Sequence, residues 1–195
     1  NRWQLSADLF FRRLYSQREY SGNIIDIVAT DYDLNSTLLR GSGRNYGASV
    51  MVQKSSGKLT GWMSYSYTKA RRTFNADRMR GSYPASHERP HELNMVASYA
   101  PWRHFDFGAT LVWASGTPFT APASVNIING NIMAKYGRHN ANRYADYMRL
   151  DLSANYKWTS PGGTEHGFNL SVCNATAHKN ELFYRLRIST KNEYA

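Results

Sequence analysis

Along most of the chain, hydrophobic and polar residues alternate with a period of two, the pattern of strands that present one apolar and one polar face. In the first run Trp3, Leu5, Ala7, Leu9 and Phe11 fall on one side, and Gln4, Ser6 and Asp8 on the other. Tyr46, Ala48, Val50 and Val52 then oppose Asn45, Gly47, Ser49 and Gln53, with Met51 out of character. Ser55-Ser56-Gly57-Lys58 reads as a tight turn. Beyond it Leu59, Gly61, Met63, Tyr65 and Tyr67 alternate with Thr60, Trp62, Ser64, Ser66 and Thr68, which predicts a hairpin. Leu93, Met95, Ala97 and Tyr99 against Glu92, Asn94 and Ser98 predict a fourth strand, and Pro101-Trp102-Arg103-His104 a second short turn. Phe105, Phe107, Ala109, Leu111 and Trp113 make a fifth apolar face, and Leu150, Leu152, Ala154, Tyr156 and Trp158 a sixth. After the turn Ser160-Pro161-Gly162-Gly163-Thr164, Phe168, Leu170 and Val172 oppose Asn169, Ser171 and Cys173. A last run, 182–188, brings the expected number of strands to about eight.

The connections alternate in length: short at 55–58, 100–104 and 159–165, long and polar at about 16–43, 70–90 and 116–147. Outer-membrane barrels sort their loops in this way, with short periplasmic turns and long extracellular loops. The expected fold is therefore all-β, an antiparallel transmembrane β-barrel. Trp3 and Trp158 stand beside short turns, where an interfacial girdle belongs, and Tyr15, Tyr65, Tyr67 and Trp113 suit the opposite interface. The competing fold is a soluble all-β domain whose apolar faces meet in a core. Gln4, Ser6, Asp8, Asp106, Arg149, Asp151, Ser153 and Asn155 make the other face polar enough for a hydrated lumen.

Composition narrows the classes further. A 195-residue chain with 42% hydrophobic and 14% aromatic residues is not a disordered one. A single Cys excludes an internal disulfide and a Cys-based zinc site. Mean hydropathy is −0.59 and no run nears the ~18 apolar residues of a membrane helix. Alternating barrel strands escape that test.

The charge is +10, from 24 Lys+Arg against 14 Asp+Glu. Arg71, Arg72, Arg78, Arg80 and Arg89 concentrate in one expected long loop, and Lys135, Arg138 and Arg143 in another. Guanidinium forks suit carboxylates and phosphates, which makes these eight the candidate ligand-contacting residues. Lipopolysaccharide phosphates compete for the same cations. Nucleic acid is not expected, because no stacking platform accompanies the basic residues. Asp8, Asp106, Arg149 and Asp151 are the candidate lumen-facing or plug-facing residues.

Other motifs carry less. His87-Glu88-Arg89-Pro90-His91 matches the H-E-x-x-H spacing of zinc proteases, which needs a continuous helix. Pro90 breaks one, so an ordered turn into the strand at His91 is expected, with ligand contact at the loop base as a weaker role. Gly41-Ser42-Gly43-Arg44-Asn45-Tyr46-Gly47 lacks dinucleotide-loop spacing and leads into a strand. Asn35-Ser36-Thr37 and Asn174-Ala175-Thr176 fit a glycosylation sequon by chance. Cys173 is expected in a strand on the polar face, with no His or Asp placed to activate it. No catalytic arrangement, metal site or cofactor is expected.

Gly57-Lys58-Leu59-Thr60-Gly61-Trp62-Met63-Ser64-Tyr65-Ser66-Tyr67 resembles the C-terminal half of the barrel in TonB-dependent outer-membrane receptors, especially the Bacteroidetes type. Further segments fall in the same order: Tyr46-Gly47, 84–91, 115–120, Tyr136-Gly137-Arg138 with Asn142-Arg143, 149–153, and Asn174-Ala175-Thr176 with Lys179-Asn180. The likeness covers nearly the whole chain, least in 16–43; Cys173 departs from it, standing where such receptors carry an aromatic residue. The resemblance implies a barrel of about 22 strands, of which this chain would be a C-terminal part without plug or last strand. It also implies uptake of a scarce nutrient such as a siderophore or other metal chelate across the outer membrane of a Gram-negative bacterium. Its partners would be the lipid bilayer, lipopolysaccharide, the chelate, and TonB reached through the plug. The alternative is a self-contained eight-stranded barrel acting as a structural protein or adhesin.

Overall fold

A computed structural model describes residues 2–20, 38–75, 79–128 and 131–183. In chain order their strands are β1 (Trp3–Tyr20), β2 (Leu38–Lys54), β3 (Leu59–Phe74), β4 (Gly81–Pro84), β5 (His91–Trp102) and β6 (Phe105–Ala114). Then follow β7 (Pro118–Phe119), β8 (Pro122–Ile128), β9 (Asn131–Tyr136), β10 (Asn142–Arg143), β11 (Tyr147–Thr159) and β12 (Glu165–Val172). Among the described residues there is no α-helix, and none long and apolar enough to cross a membrane.

One antiparallel sheet dominates, ordered β1-β2-β3-β5-β6-β11-β12, with β4 added beside the end of β3. Each long strand pairs with the next one in sequence, a meander built from the expected hairpins. β1 and β12 form its two edges, so no closed barrel is formed by the described residues.

The register aligns the apolar positions across the sheet. Leu5 stands opposite Val52, Val52 opposite Met63, Met63 opposite Met95, Met95 opposite Leu111, and Leu111 opposite Leu150. Four residues farther along the same face, Tyr99 pairs with Phe107, Phe107 with Ala154 and Ala154 with Leu170. A slip of one residue anywhere would throw a strand's apolar set onto the polar face, so the alternation itself specifies this pairing.

The described residues leave that apolar face uncovered. Leu9 is 87% exposed, Leu5 70% and Phe11 62%, with Met63, Phe168 and Leu170 also open. The buried residues Ala70, Arg72, Phe74, Tyr83, Ala85, Glu88, Ala114 and Asn140 belong to the polar face and to the segments packed on it. Phe74, Met79 and Tyr83 form the small core there, with Leu39 against them.

Several expectations are corrected. β1, β2 and β3 run 18, 17 and 16 residues, far into segments expected to be loops, so Arg71 and Arg72 lie within β3, near its end, instead of in a loop. The long segment 116–147 is not structureless: β8 and β9 form a hairpin, and β7 pairs with β10. Its period-two signal is masked in the sequence by the adjacent pair Ile127-Ile128. Cys173 falls in a turn just past β12, not in a strand, because the pairing with β11 stops at Val172. Leu182 and Phe183 are irregular; the rest of the expected eighth strand, the sequon at 35–37 and most of the loop 16–43 lie outside the described residues.

Candidate functional site

The long-loop end of the polar face is where the chemistry-bearing side chains gather, and the geometry begins with a bulge. β1 pairs Leu14 with Gly43 but Gln17 with Gly41, one residue extra in β1. Ser16 takes it up at φ 52. An inserted residue reverses the alternation beyond it. Odd-numbered residues up to Arg13 share the apolar face; past the bulge, Glu19 lies on the polar one.

There Glu19 meets two segments from far along the chain. The Tyr83 hydroxyl donates to its Oε2 at 2.8 Å, and His139 Nε2 donates to its Oε1 at 3.0 Å. His139 Nδ1 then faces the Thr120 hydroxyl at 3.4 Å, and the two rings of Tyr83 and His139 meet edge to face with centroids 4.7 Å apart. Burial alone would raise the Glu19 carboxyl, but the bonds from His139 and Tyr83 and the nearby charges of His139 and Arg72 outweigh it and hold it below its ordinary value. Burial, and the Glu19 carboxylate as its acceptor, push the Tyr83 hydroxyl far up, so it stays a donor.

A second knot lies beside the first. Glu88, 1% exposed, accepts the Ala70 N–H at 2.7 Å with Oε2 and an ion pair from Arg143 with Oε1. Arg143 also donates to the carbonyls of Glu88 and Gly116, at 3.1 and 3.0 Å. Gly116 is obligatory, since a Cβ there would run into the Tyr144 carbonyl. Asn140, at φ 51 and 5% exposed, donates to Pro84 O at 2.9 Å and Ser86 Oγ at 3.2 Å, while its N–H reaches the Thr120 hydroxyl. Together these bonds tie the segment 79–90 and the segment 115–146 down onto the polar face of β1–β3.

Among the candidate cations, Arg72 and Arg143 are engaged inside this knot. Arg72 donates to Asn45 Oδ1 at 2.8 Å and is 8% exposed. Arg80, Arg89, Lys135 and Arg138 are exposed, and the Arg89 guanidinium lies over the Tyr147 ring at 5.8 Å. Arg71 lies opposite Arg44 on the apolar face, away from the knot, and Arg78 lies outside the described residues.

The four lumen candidates share the polar face lower in the sheet. Asp8 pairs with Ser49 and is exposed; Asp106 faces Lys157 Nζ at 3.5 Å. Arg149 Nε donates to both Asp151 oxygens at 2.9 Å, and Asp151 Oδ1 accepts the Asn174 N–H at 2.8 Å. These are spread over the sheet and do not converge on one point. Among the described residues no group of three His, Cys, Asp or Glu could hold a metal ion.

Sequence reasoning passed over Glu19, Glu88, His139 and Asn140 as site residues. A zinc-protease spacing drew attention to Glu88, but residues 87–91 form no helix and the Glu88 carboxylate is engaged by Arg143 and the Ala70 N–H; an acidic residue flanked by Pro90 at a strand entry was the usable signal. No known protein family, curated protein or solved structure matches the chain.

Proposed function

We propose that this chain forms part of the wall of a transmembrane β-barrel that imports a nutrient across the outer membrane, in the manner of a TonB-dependent receptor. The observation that carries the reading is the apolar band itself: seven strands wide, in register, and uncovered among the described residues, while the contacts of Tyr83, Glu88, Thr120, His139, Asn140 and Arg143 hold the long connecting segments on the opposite, polar face. A soluble sandwich would do the reverse and bury the apolar side. An exposed patch of this extent fits a lipid solvent.

The aromatic girdle adds a measure of strand tilt. Following the pairings from Trp3 through Lys54, Gly61, Ala97 and Ala109 leads to Leu152 on β11. The matching girdle residue on β11 is Trp158, six positions farther down the strand, or about 20 Å at ~3.3 Å per residue. Five strand spacings separate β1 from β11, about 24 Å at ~4.8 Å each. The girdle therefore crosses the ladder at about 40°, the tilt of transmembrane barrels. Trp102, Phe105, Tyr156, Trp158 and His166 continue it as ring contacts 4.8–6.0 Å apart.

The larger barrel is favoured over a closed eight-stranded one by the edges. β12 is exposed throughout, with Phe168 at 61%, and β1 is open over most of its length. Such edges call for further strands. In this reading Arg80, Arg89, Lys135 and Arg138 face the outside medium and a chelate or similar anion, the polar face meets the plug, and catalysis has no part. The deciding experiment is heat-modifiability of the native protein in outer-membrane fractions. A species that resists SDS until boiled and is much heavier than 22.3 kDa is the expected result; a soluble species would overturn it.

A further inference from the structure

Above the aromatic rim, the apolar face changes character abruptly on β1–β3. Phe11 pairs with Tyr46, and Tyr46 with Lys69. One step beyond, Arg13 pairs with Arg44 and Arg44 with Arg71, three guanidiniums side by side on adjacent strands. Farther out, past the bulge, Arg18 stands directly opposite Arg40 on the same face. Like charges placed directly across a strand pair are destabilising. Nothing within the described residues offsets this: the four ion pairs there involve His139, Arg143, Arg149 and Lys157, and none of these arginines.

We infer that Arg13, Arg44 and Arg71, with Lys69 beneath them, form a binding site for the phosphate groups of a phosphorylated glycolipid in the surrounding leaflet. The inference rests on the barrel reading and adds to it a particular binding site on the outer wall. The cations lean to where phosphates would lie: the Arg13 guanidinium is 5.7 Å from the centre of the Phe11 ring, and Lys69 Nζ is 6.0 Å from that of Tyr67. Each charge thus sits over the last aromatic ring of the apolar band, at the boundary between acyl chains and headgroups.

The arginine forks match phosphate oxygens in pairs, and neighbouring strands hold them about 5 Å apart, so one phosphate reaches two of them. The basic residues also continue outward to Arg18 and Arg40, about 13 Å along β2 from Arg44. A simple phospholipid carries one phosphate at one depth. A glycolipid with phosphates at several depths fits a ladder of this height, and its fixed charges relieve the repulsion between the paired arginines.

The test uses the full-length protein purified in detergent, with bound lipid read by native mass spectrometry. The probes are deep-rough lipopolysaccharide, the same glycolipid after chemical dephosphorylation, and phosphatidylglycerol. Wild type is expected to hold the phosphorylated glycolipid best, and each Arg→Gln change to weaken it about fivefold, roughly a hundredfold for Arg13→Gln/Arg44→Gln/Arg71→Gln. A charge-matched variant at the short-turn end, Arg2→Gln/Lys58→Gln/Arg103→Gln, is expected to bind as wild type does. Equal binding by the triple variant, by dephosphorylated glycolipid or by phosphatidylglycerol would overturn the site. Heat-modifiability is read on every variant, and if the triple one does not assemble, Arg44→Gln alone decides. A wild-type protein that proves soluble sinks the barrel reading itself, a result distinct from an assembled barrel whose arginines make no difference.

Discussion

Glu19 and His139 lie 120 positions apart in the chain and meet at 3.0 Å on the polar face, because a one-residue bulge turns the end of β1 over. Without that bulge the carboxylate would project from the apolar face beside Arg13. The same bulge leaves Arg18 on the apolar side, so a single inserted residue sorts an acid inward and a base outward.

The Glu19 contact should make loop packing pH-dependent. Its folded value is depressed, so its contribution is fully present above the ordinary 4.5 and is lost as the pH falls through the lower, folded value. Protease cleavage within 115–146 is expected to accelerate below about pH 4.5 in wild type. In Glu19→Gln it should be fast already at neutral pH and flat across that range. Tyr83→Phe, which removes one donor, is expected to lie between them, at a loss of about 1 kcal/mol.

Glu88 is the buried anchor of the second knot. Glu88→Ala removes the carboxylate partner of Arg143 and the acceptor of the Ala70 N–H, while Arg143 keeps the backbone carbonyls of residue 88 and Gly116, and should cost about 2–3 kcal/mol. Urea unfolding of the isolated barrel would read it. Arg143→Met combined with Glu88→Ala should cost less than the two single changes added together; strict additivity would mean the pair is not coupled.

Ser16 holds a left-handed conformation that serine adopts reluctantly. Ser16→Gly is expected to stabilise by about 1 kcal/mol, and Ser16→Val to destabilise by a similar amount or more. Deleting Ser16 should close the bulge into an unbroken β1–β2 ladder with Gln17 still opposite Gly41, so Glu19 stays on the polar face and Arg18 on the apolar one, and the deletion is expected to be tolerated better than Ser16→Val. Barrel yield in outer membranes and thermal unfolding of the three variants would rank them.

The lipid-facing assignment of the band has its own check. Met63→Arg, near mid-height of the apolar face, should destabilise the inserted barrel by about 2–4 kcal/mol. Ser64→Arg, next in sequence but on the polar face, should change little. If both substitutions are equally tolerated, the apolar face does not meet lipid.

The strands were legible because each carries its own alternation. The pairs Leu5–Val52–Met63–Met95–Leu111 follow from matching apolar faces through short turns, and hairpins of this kind leave little freedom in the order of strands. Strand ends were less legible. Arg12, Arg13, Arg40, Arg44, Arg71 and Arg72 interrupt the polarity pattern, so the outer thirds of β1–β3 read as loop. The candidate cations were therefore treated as one group, whereas the register divides them between two faces: Arg72 inward onto Asn45, Arg71 outward beside Arg44.

By itself, the sequence determined the all-β class, seven of the long strands, their antiparallel neighbours and which side of each is apolar, since a period of two is a local property that turn lengths then propagate. Tertiary structure alone decided which face the loops cover, where Glu19 points beyond Ser16, and that Glu88 meets Arg143 and Glu19 meets His139. Those contacts join residues separated by 55 and 120 positions, and no local pattern records them. They depend on how two long segments fold back over a sheet whose parity a single bulge has reversed.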